Sequence, residues 1–167
     1  MRYRIRAILT LLCSISLQPW PVHAQISGAD ESASASDQAV LAVYQAYRKG
    51  NHSLMAEQLP LTHGSLLEPW AAYWELRSRL TDATASEVEQ FLSRYAGTYQ
   101  EDRLRNDWLL QLGKQRDWIN FKRLYPALRM RDDTQIQCYA LLVDRLDHGT
   151  PVADAVAQRW HATRTPD

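Results

Sequence analysis

The chain has 167 residues, with 19 basic and 19 acidic side chains, so its formal net charge is zero. This length allows one ordinary domain of ~100–200 residues and excludes an enzyme of several domains within the chain. Apolar residues make up 46% and charged residues 23%, which argues against wholesale disorder, and the absence of a basic excess gives no support for a nucleic-acid-binding protein. Two cysteines are too few for a disulfide-rich scaffold or a four-thiolate zinc site.

The first 24 residues have the organisation of a secretory signal peptide. Three arginines stand among the first six residues, an apolar stretch occupies 7–17, and Val22-His23-Ala24 suits cleavage after its alanine. The apolar stretch is shorter than the ~20 residues of a membrane span. The leucine before Cys13 does not suit lipidation. We therefore expect a signal peptide at 1–24 and a periplasmic mature protein without a stable membrane span, in which Cys138 is the one remaining cysteine.

Residues 25–37 are rich in alanine, serine and acidic side chains, a composition that predicts a flexible leader. From Gln38 onward, apolar residues recur at intervals of three and four, which is the helical period, and no comparable alternating run predicts a strand. The periodic positions in chain order are Val40, Val43, Tyr44 and Tyr47; Trp70, Tyr73, Trp74 and Leu80; Val88, Phe91, Leu92 and Tyr95; Leu104, Trp108 and Leu112; Trp118, Phe121, Tyr125 and Leu128; and Ile136, Tyr139, Ala140, Val143 and Leu146. We predict an all-α domain over 38–160 and a short tail at 161–167.

The breaks between periodic segments carry residues that begin or end helices. Thr84 to Glu87 fits a capping box, and the side chains of Asp117 and Asp133 can cap the helices that follow them. Glycines that predict left-handed helix ends are Gly50, Gly97, Gly113 and Gly149, and prolines at predicted helix starts or ends are Pro60, Pro69, Pro126 and Pro151. The short connections predict antiparallel neighbours. The expected architecture is a curved superhelical stack of short helix pairs, similar to tetratricopeptide hairpins, with a compact bundle as the alternative.

The sequence contains no phosphate-binding glycine loop, no His-Glu-x-x-His motif and no Cys-x-x-Cys motif. The histidines after the predicted signal, His52, His63, His148 and His161, are never three or four residues apart, so no helix face offers two imidazoles to a metal. We predict no metal site and no cofactor. His52 and His148 are expected to be solvated residues at helix ends.

Two carboxylates flank an aromatic cluster of Trp70, Tyr73 and Trp74. A buried Glu68 or Glu75 at this place could have a raised pKa and act as a general acid. The favoured interpretation is that the aromatic residues are core and that both acids are solvated. Asp132-Asp133 is read as a turn and a helix cap.

A modest basic cluster lies further along the chain. Its members are Arg103, Arg105, Lys114 and Arg116, and the nearby acids Glu101, Asp102, Asp107 and Asp117 neutralise them. The pattern predicts a solvated face and not an anion site.

Several segments together resemble the N-terminal superhelical region of the soluble lytic murein transglycosylases. The segments are 44–59 with the Pro60 break, 66–77, 88–95, 104–118, the Gln-Cys-Tyr triplet at 137–139, and 149–160, and their order and spacing carry the likeness over residues 40–165. The resemblance implies a non-catalytic helical scaffold. In that family a C-terminal domain cleaves the MurNAc–GlcNAc β-1,4 bond and leaves a 1,6-anhydro product.

The resemblance also shows what this chain lacks. The family's catalytic glutamate stands in a Glu-Ser motif followed by an aromatic residue, whereas the single Glu-Ser pair here, Glu31-Ser32, lies in the predicted leader and is not given that role. No catalytic residue is therefore assigned. The family places a second cysteine shortly beyond the helical pair that follows the Gln-Cys helix, about where this chain stops, so the unpaired Cys138 agrees with a truncated copy.

Two other functions are compatible with the sequence. The chain could be a free-standing helical-repeat protein that binds a cell-wall enzyme or peptide, or a small hydrolase that uses Glu68 or Glu75.

An open helical stack would expose an apolar end face near Ala155, Val156 and Trp160. We then expect marginal stability or self-association, with Cys138 able to form a disulfide dimer.

Overall fold

The computed structural model describes residues 27–162, and the predicted signal peptide at 1–24 lies outside this range. The described residues form eight α-helices and no strand. The helices are α1 (Ser27–Arg48), α2 (His52–Gln58), α3 (Glu68–Ser78), α4 (Ala85–Arg94), α5 (Tyr99–Gln115), α6 (Trp118–Leu124), α7 (Thr134–His148) and α8 (Ala153–Ala162). The all-α prediction is therefore confirmed.

Helix α1 begins at Ser27, inside the segment 25–37 that the sequence predicts to be a flexible leader. The helix therefore includes the part of this segment from Ser27 onward. The end of the segment 25–37 packs on the rest of the fold. Ser36 is buried, and the Ser65 hydroxyl donates a hydrogen bond of 2.6 Å to the carboxylate of Asp37. A composition of alanine and serine with early acids is compatible with a helix, since acids near a helix N-terminus are favoured by its dipole.

The local chemistry at several helix ends is as predicted. The Thr84 hydroxyl accepts from the Glu87 N–H, while the Glu87 carboxylate accepts from the Thr84 N–H, which is a complete capping box. The side chains of Asp117 and Asp133 cap α6 and α7. Pro69 stands in the first turn of α3, and short 3-10 turns at Leu59–Thr62 and Tyr125–Ala127 contain the other two mid-chain prolines.

Two predicted helix boundaries are wrong. Gly113 does not end a helix, because α5 continues to Gln115 and Arg116 takes the left-handed conformation at its end. The missing side chain of Gly113 is needed for packing, since the ring of Tyr139 occupies the place of a Cβ. Pro151 lies two residues before Ala153, so it precedes α8 and is not in its first turn.

The helices pack in a defined order around two apolar clusters. Helix α1 packs on α2 and α3, and the small cluster between them includes Val43, Met55 and Ala71. The larger cluster extends from α3 to α7 and includes Leu109 and Phe121. Helix α5 contacts α3, α4, α6 and α7, whereas α8 packs on α7. The centre of the fold is therefore α5.

Buried acids on α5 hold the chain that follows α6. The carboxylate of Asp102 accepts hydrogen bonds of 2.9 and 2.7 Å from the backbone N–H groups of Arg129 and Met130. Beside it, Glu101 forms ion pairs with Arg105 and Arg129. Both acids are buried, so the desolvation of their charges is offset by charge-assisted hydrogen bonds. These contacts fix the loop from which α7 begins.

Candidate functional site

A row of aromatic side chains crosses three helices, and we call it the aromatic ladder. Its members are Tyr44 and Tyr47 on α1, Trp70 and Trp74 on α3, and Tyr99 on α5. The ring centroid of Trp74 lies 4.8 Å from that of Tyr44, 6.3 Å from that of Tyr47 and 5.6 Å from that of Trp70. The Trp70 ring then lies 5.6 Å from Tyr99. The ladder arises because spacings of three and four residues place these rings on one side of α1 and of α3.

The interpretation of the aromatic cluster as core holds for Tyr73, which is buried, whereas the ladder rings are only partly buried. Tyr44 is 39% exposed and Tyr99 is 54% exposed, while Tyr47, Trp70 and Trp74 are half-buried. The Tyr47–Trp74 and Trp70–Trp74 pairs are stacked and the Tyr44–Trp74 and Trp70–Tyr99 pairs are tilted, so each ring is held by its neighbours. The ladder is therefore an ordered aromatic surface.

Glu68 lies at the start of α3 and is bound to three side chains. Its Oε1 atom accepts hydrogen bonds of 2.7 Å from Arg94 and 2.9 Å from the Tyr95 hydroxyl, and lies 3.2 Å from His63 Nδ1. Burial acts to raise the pKa of Glu68, but the hydrogen bonds from His63 and Tyr95 and the charge of Arg94 outweigh it and leave the pKa below its ordinary value. Burial and the bond to Glu68 raise the pKa of Tyr95 to about 12.

Glu75 lies two turns further along α3, beside a groove of about 810 Å³ between α3 and α4. Its carboxylate accepts hydrogen bonds of 2.7 and 3.3 Å from Nε and Nη2 of Arg79. The same guanidinium donates to Glu87 at 2.5 Å, so Arg79 joins α3 to the first turn of α4. The hydrogen bond to Glu75 raises the pKa of Arg79, which keeps this bridge charged.

The environment of Glu68 does not prepare its carboxyl for proton donation. A general acid at neutral pH needs a raised pKa, as burial without a positive partner would give. The pKa of Glu68 moves in the opposite direction. Both acids are partly buried and bound to arginines, so the sequence interpretation of solvated acids is wrong in detail. Their contacts join α3 to α4.

A third charged cluster joins Arg103 and Asp107 of the predicted basic cluster to two residues of α3, Tyr73 and Arg77. The Tyr73 hydroxyl donates a hydrogen bond of 2.8 Å to Asp107, whose carboxylate also lies 3.3 Å from Arg77 and 4.0 Å from Arg103. Burial, followed by the bond to Asp107, raises the pKa of Tyr73 to about 12. The available sequence signal was the four-residue spacing of Arg103 and Asp107, which places both on one face of α5.

The predicted basic cluster divides into different environments. The side chain of Arg105 is 12% exposed and pairs with the buried Glu101, so it is not part of a solvated face. Lys114 and Arg116 at the end of α5 are exposed, as predicted. The division follows from α5 having several neighbours, which a charge pattern along one helix does not reveal.

The histidines lie apart from one another in the described range. His52 contacts the Ser78 hydroxyl at 3.1 Å, and His148 lies 3.0 Å from Asp144 in the last turn of α7. His161 lies near the end of α8 and is exposed. Over residues 27–162 no group of three or more possible ligands could hold a metal ion, and no helix there is long and apolar enough to cross a membrane. Asp133 caps α7, in agreement with its predicted role.

The C-terminal helices carry a set of exposed apolar side chains. The set contains Leu142 and Leu146 on α7 and Val156 and Trp160 on α8, the last of which is 66% exposed. Ala155 is half-buried, and the free thiol of Cys138 is exposed on α7. Scans against protein-family models, curated proteins and solved structures found no match to the chain.

Proposed function

We propose that the chain is a non-catalytic helical scaffold of the kind that forms the N-terminal region of the soluble lytic murein transglycosylases. The observation that carries the proposal is the packing order of alternate helices: α1 lies on α3, α3 on α5 and α5 on α7. Such an order is typical of stacked antiparallel helix pairs, in which each pair contacts its neighbours. The proposed architecture is therefore a curved superhelical stack similar to tetratricopeptide hairpins.

The side chains that link the helices support the same proposal. Ion pairs of Glu68 with Arg94 and of Glu87 with Arg79 join α3 to α4, and the Asp102 carboxylate holds the chain before α7. Such contacts use carboxylates to hold helices in register. In this proposal glycan cleavage is carried out by a C-terminal domain like that of the family, and the substrate of that domain is the peptidoglycan strand. The signal at 1–24 directs the protein to the periplasm.

The deciding experiment reads the encoding DNA for about 1,500 bases beyond codon 167, roughly the length that further domains of ~100–200 residues each would need. A continuing frame with a second cysteine, followed later by a Glu-Ser-x-aromatic motif, is the expected result. A stop codon with no such sequence in any frame would overturn the assignment to this enzyme class.

The second candidate function is an interaction module, a free-standing helical-repeat protein that binds a cell-wall enzyme or peptide. The partial exposure of the aromatic ladder favours it, because an ordered aromatic surface is typical of binding sites. Saturable binding of a purified wall enzyme without added glycan would support this candidate. Binding that requires glycan strands would count against it.

A further inference from the structure

We propose that the aromatic ladder, together with the arginines beside it, is a docking surface for an acidic, extended peptide segment of a partner protein. The inference rests on the proposed scaffold function and names the class of partner that such a scaffold holds.

The first argument is the state of the rings. Tyr44 and Tyr99 lie at opposite ends of the row and are its most exposed members. The two tryptophans between them are half-buried. Because each ring is already packed against its neighbours, binding would cost little side-chain entropy. Preorganised tyrosine and tryptophan rings give large contact areas of this kind in protein interfaces.

The second argument is charge. The guanidinium of Arg48 lies 6.0 Å from the centroid of the Tyr44 ring, and that of Arg77 lies 5.7 Å from the Tyr73 ring. Arg77 and Arg103 share the carboxylate of Asp107, which binds Tyr73, and the Tyr73 ring lies 6.0 Å from Trp70 of the row. With Arg48 this makes three arginines and one carboxylate near the row, an excess of positive charge. The side chain of Asp107 is 11% exposed and already accepts from the Tyr73 hydroxyl. The surface therefore complements carboxylates.

The third argument is that the other acidic side chains of α3 and α5 already have partners away from the ladder. Glu68 binds Arg94, and Glu75 binds Arg79, both on the side that faces α4. Glu101 pairs with Arg105 and Arg129, and Asp102 binds the loop after α6. These carboxylates are therefore satisfied by other arginines and backbone groups, and the positive balance beside the ladder remains.

The fourth argument is composition and direction. Tyrosine, tryptophan and arginine are the residue types that most often dominate the binding energy of protein interfaces. The row crosses α1, α3 and α5 from side to side, so an extended segment can contact all three helices while its side chains alternate between rings and guanidinium groups. A segment with carboxylates near an aromatic residue or a proline fits both features.

The test selects peptides from a random dodecapeptide library displayed on phage, with the full chain as the target. The enriched peptide is then synthesised with a fluorescent label, and its Kd is measured by anisotropy at low and high salt. We expect enriched sequences with at least two carboxylates near an aromatic residue or a proline. We also expect binding that weakens with salt, because exposed charges are screened.

Matched variants locate the binding. Tyr99→Ser, and separately the pair Arg48→Gln and Arg103→Gln, should each weaken binding by about tenfold or more, as loss of a dominant interface residue does. Ile119→Ser and Arg123→Gln are the controls, because Ile119 is 79% exposed and both lie on α6, away from the row. The controls should leave Kd within about twofold. Circular dichroism melts confirm that each variant is folded.

Five results would overturn the proposal. The first three are no enriched peptide, enrichment of basic peptides, and equal binding by the row variants and the controls. The fourth is displacement of the peptide by soluble muropeptides that bind the same row more tightly than the peptide does. The fifth is self-association that is lost in Tyr99→Ser, since the row would then bind a second copy. The scaffold function is judged by the downstream reading frame, so the two proposals can fail separately.

Discussion

The ring of Tyr139 on α7 lies directly on Gly113 of α5, so that a Cβ at position 113 would overlap the ring carbons. This contact sets how closely the two helices approach, and the Tyr139 ring is held from its other sides by Trp118 and Phe121. A glycine inside a helix normally costs stability relative to alanine. Here the close approach of α5 and α7 explains why a glycine occupies this helical position.

The first prediction is that Gly113→Ala destabilises the fold by about 1–3 kcal/mol, because the added methyl group overpacks the α5–α7 contact. Urea unfolding followed by circular dichroism measures the change. In a Tyr139→Ala background the same substitution should be neutral or stabilising by up to about 1 kcal/mol, since only helix propensity then remains. A Gly113→Ala protein as stable as the parent would contradict the contact.

The second prediction concerns Asp102. Asp102→Ala should lower the free energy of unfolding by about 2–4 kcal/mol, because it leaves the backbone N–H groups of Arg129 and Met130 without their acceptor. Asp132→Ala is the control, since Asp132 is an exposed acid of the same loop and should change stability by less than about 0.5 kcal/mol. Similar losses in the two variants, measured by urea unfolding, would show that Asp102 does not hold the loop.

The third prediction is a pH dependence at the capping box. Hydrogen bonds from the backbone and side chain of Thr84, and then from Arg79, lower the pKa of Glu87 to about 2 from an ordinary 4.5. Because the folded pKa is depressed, the stabilisation is complete above about pH 4.5 and is lost as the pH falls toward 2. Unfolding measured between pH 6 and 2 should therefore show a shallower acid loss in Glu87→Gln than in the parent.

A matched substitution checks this acid dependence. Glu57 is exposed at the end of α2, so Glu57→Gln should keep the acid slope of the parent. Equal slopes in the Glu87 and Glu57 variants would be inconsistent with the hydrogen bonds at the start of α4.

The fourth prediction separates a structural role of Glu75 from a catalytic one. Glu75→Gln should lower stability by about 1 kcal/mol, because it weakens the partly buried pair with Arg79. The purified chain, with or without this substitution, should release no soluble muropeptides from peptidoglycan. Sustained release by the parent chain that Glu75→Gln or Glu68→Gln abolishes would instead establish an autonomous hydrolase.

The fifth prediction is self-association through α7 and α8. Exposed Leu142, Leu146 and Trp160 give an apolar surface, so sedimentation velocity should show reversible association of the reduced protein. Leu146→Lys should weaken it by about tenfold or more, as expected from the ~1.5–3 kcal/mol contributed by a buried leucine. Oxidation should add a disulfide-linked dimer through the exposed Cys138. A monomer at all concentrations in the parent would contradict this prediction.

Helix content and several helix ends could be predicted because the determining interactions lie within four residues. The capping box of Thr84 and Glu87 and the caps of Asp117 and Asp133 are of this local kind. The prediction of a helix end at Gly113 is wrong for the opposite reason. Its partner Tyr139 lies 26 positions later, so the sequence offered only the general preference of glycine for helix ends.

The candidate site could be predicted only in part for the same reason. The spacing of Trp70 and Trp74 identified an aromatic helix face, but not that Tyr99 extends it across to α5. Charge patterns along α5 suggested solvation, whereas the loop after α6 returns to bury Glu101 and Asp102. Such burial depends on the path of the whole chain.

The central place of α5 makes the helices unequal in how easily they open locally. Because α5 contacts four other helices, opening it requires disruption of most of the core, and its amides should exchange with deuterium only by near-global unfolding. Helix α8 packs on α7 alone among its principal contacts, so it can detach while the rest stays folded. Proteases that sample partly opened states should therefore remove α8 first and leave a folded remainder.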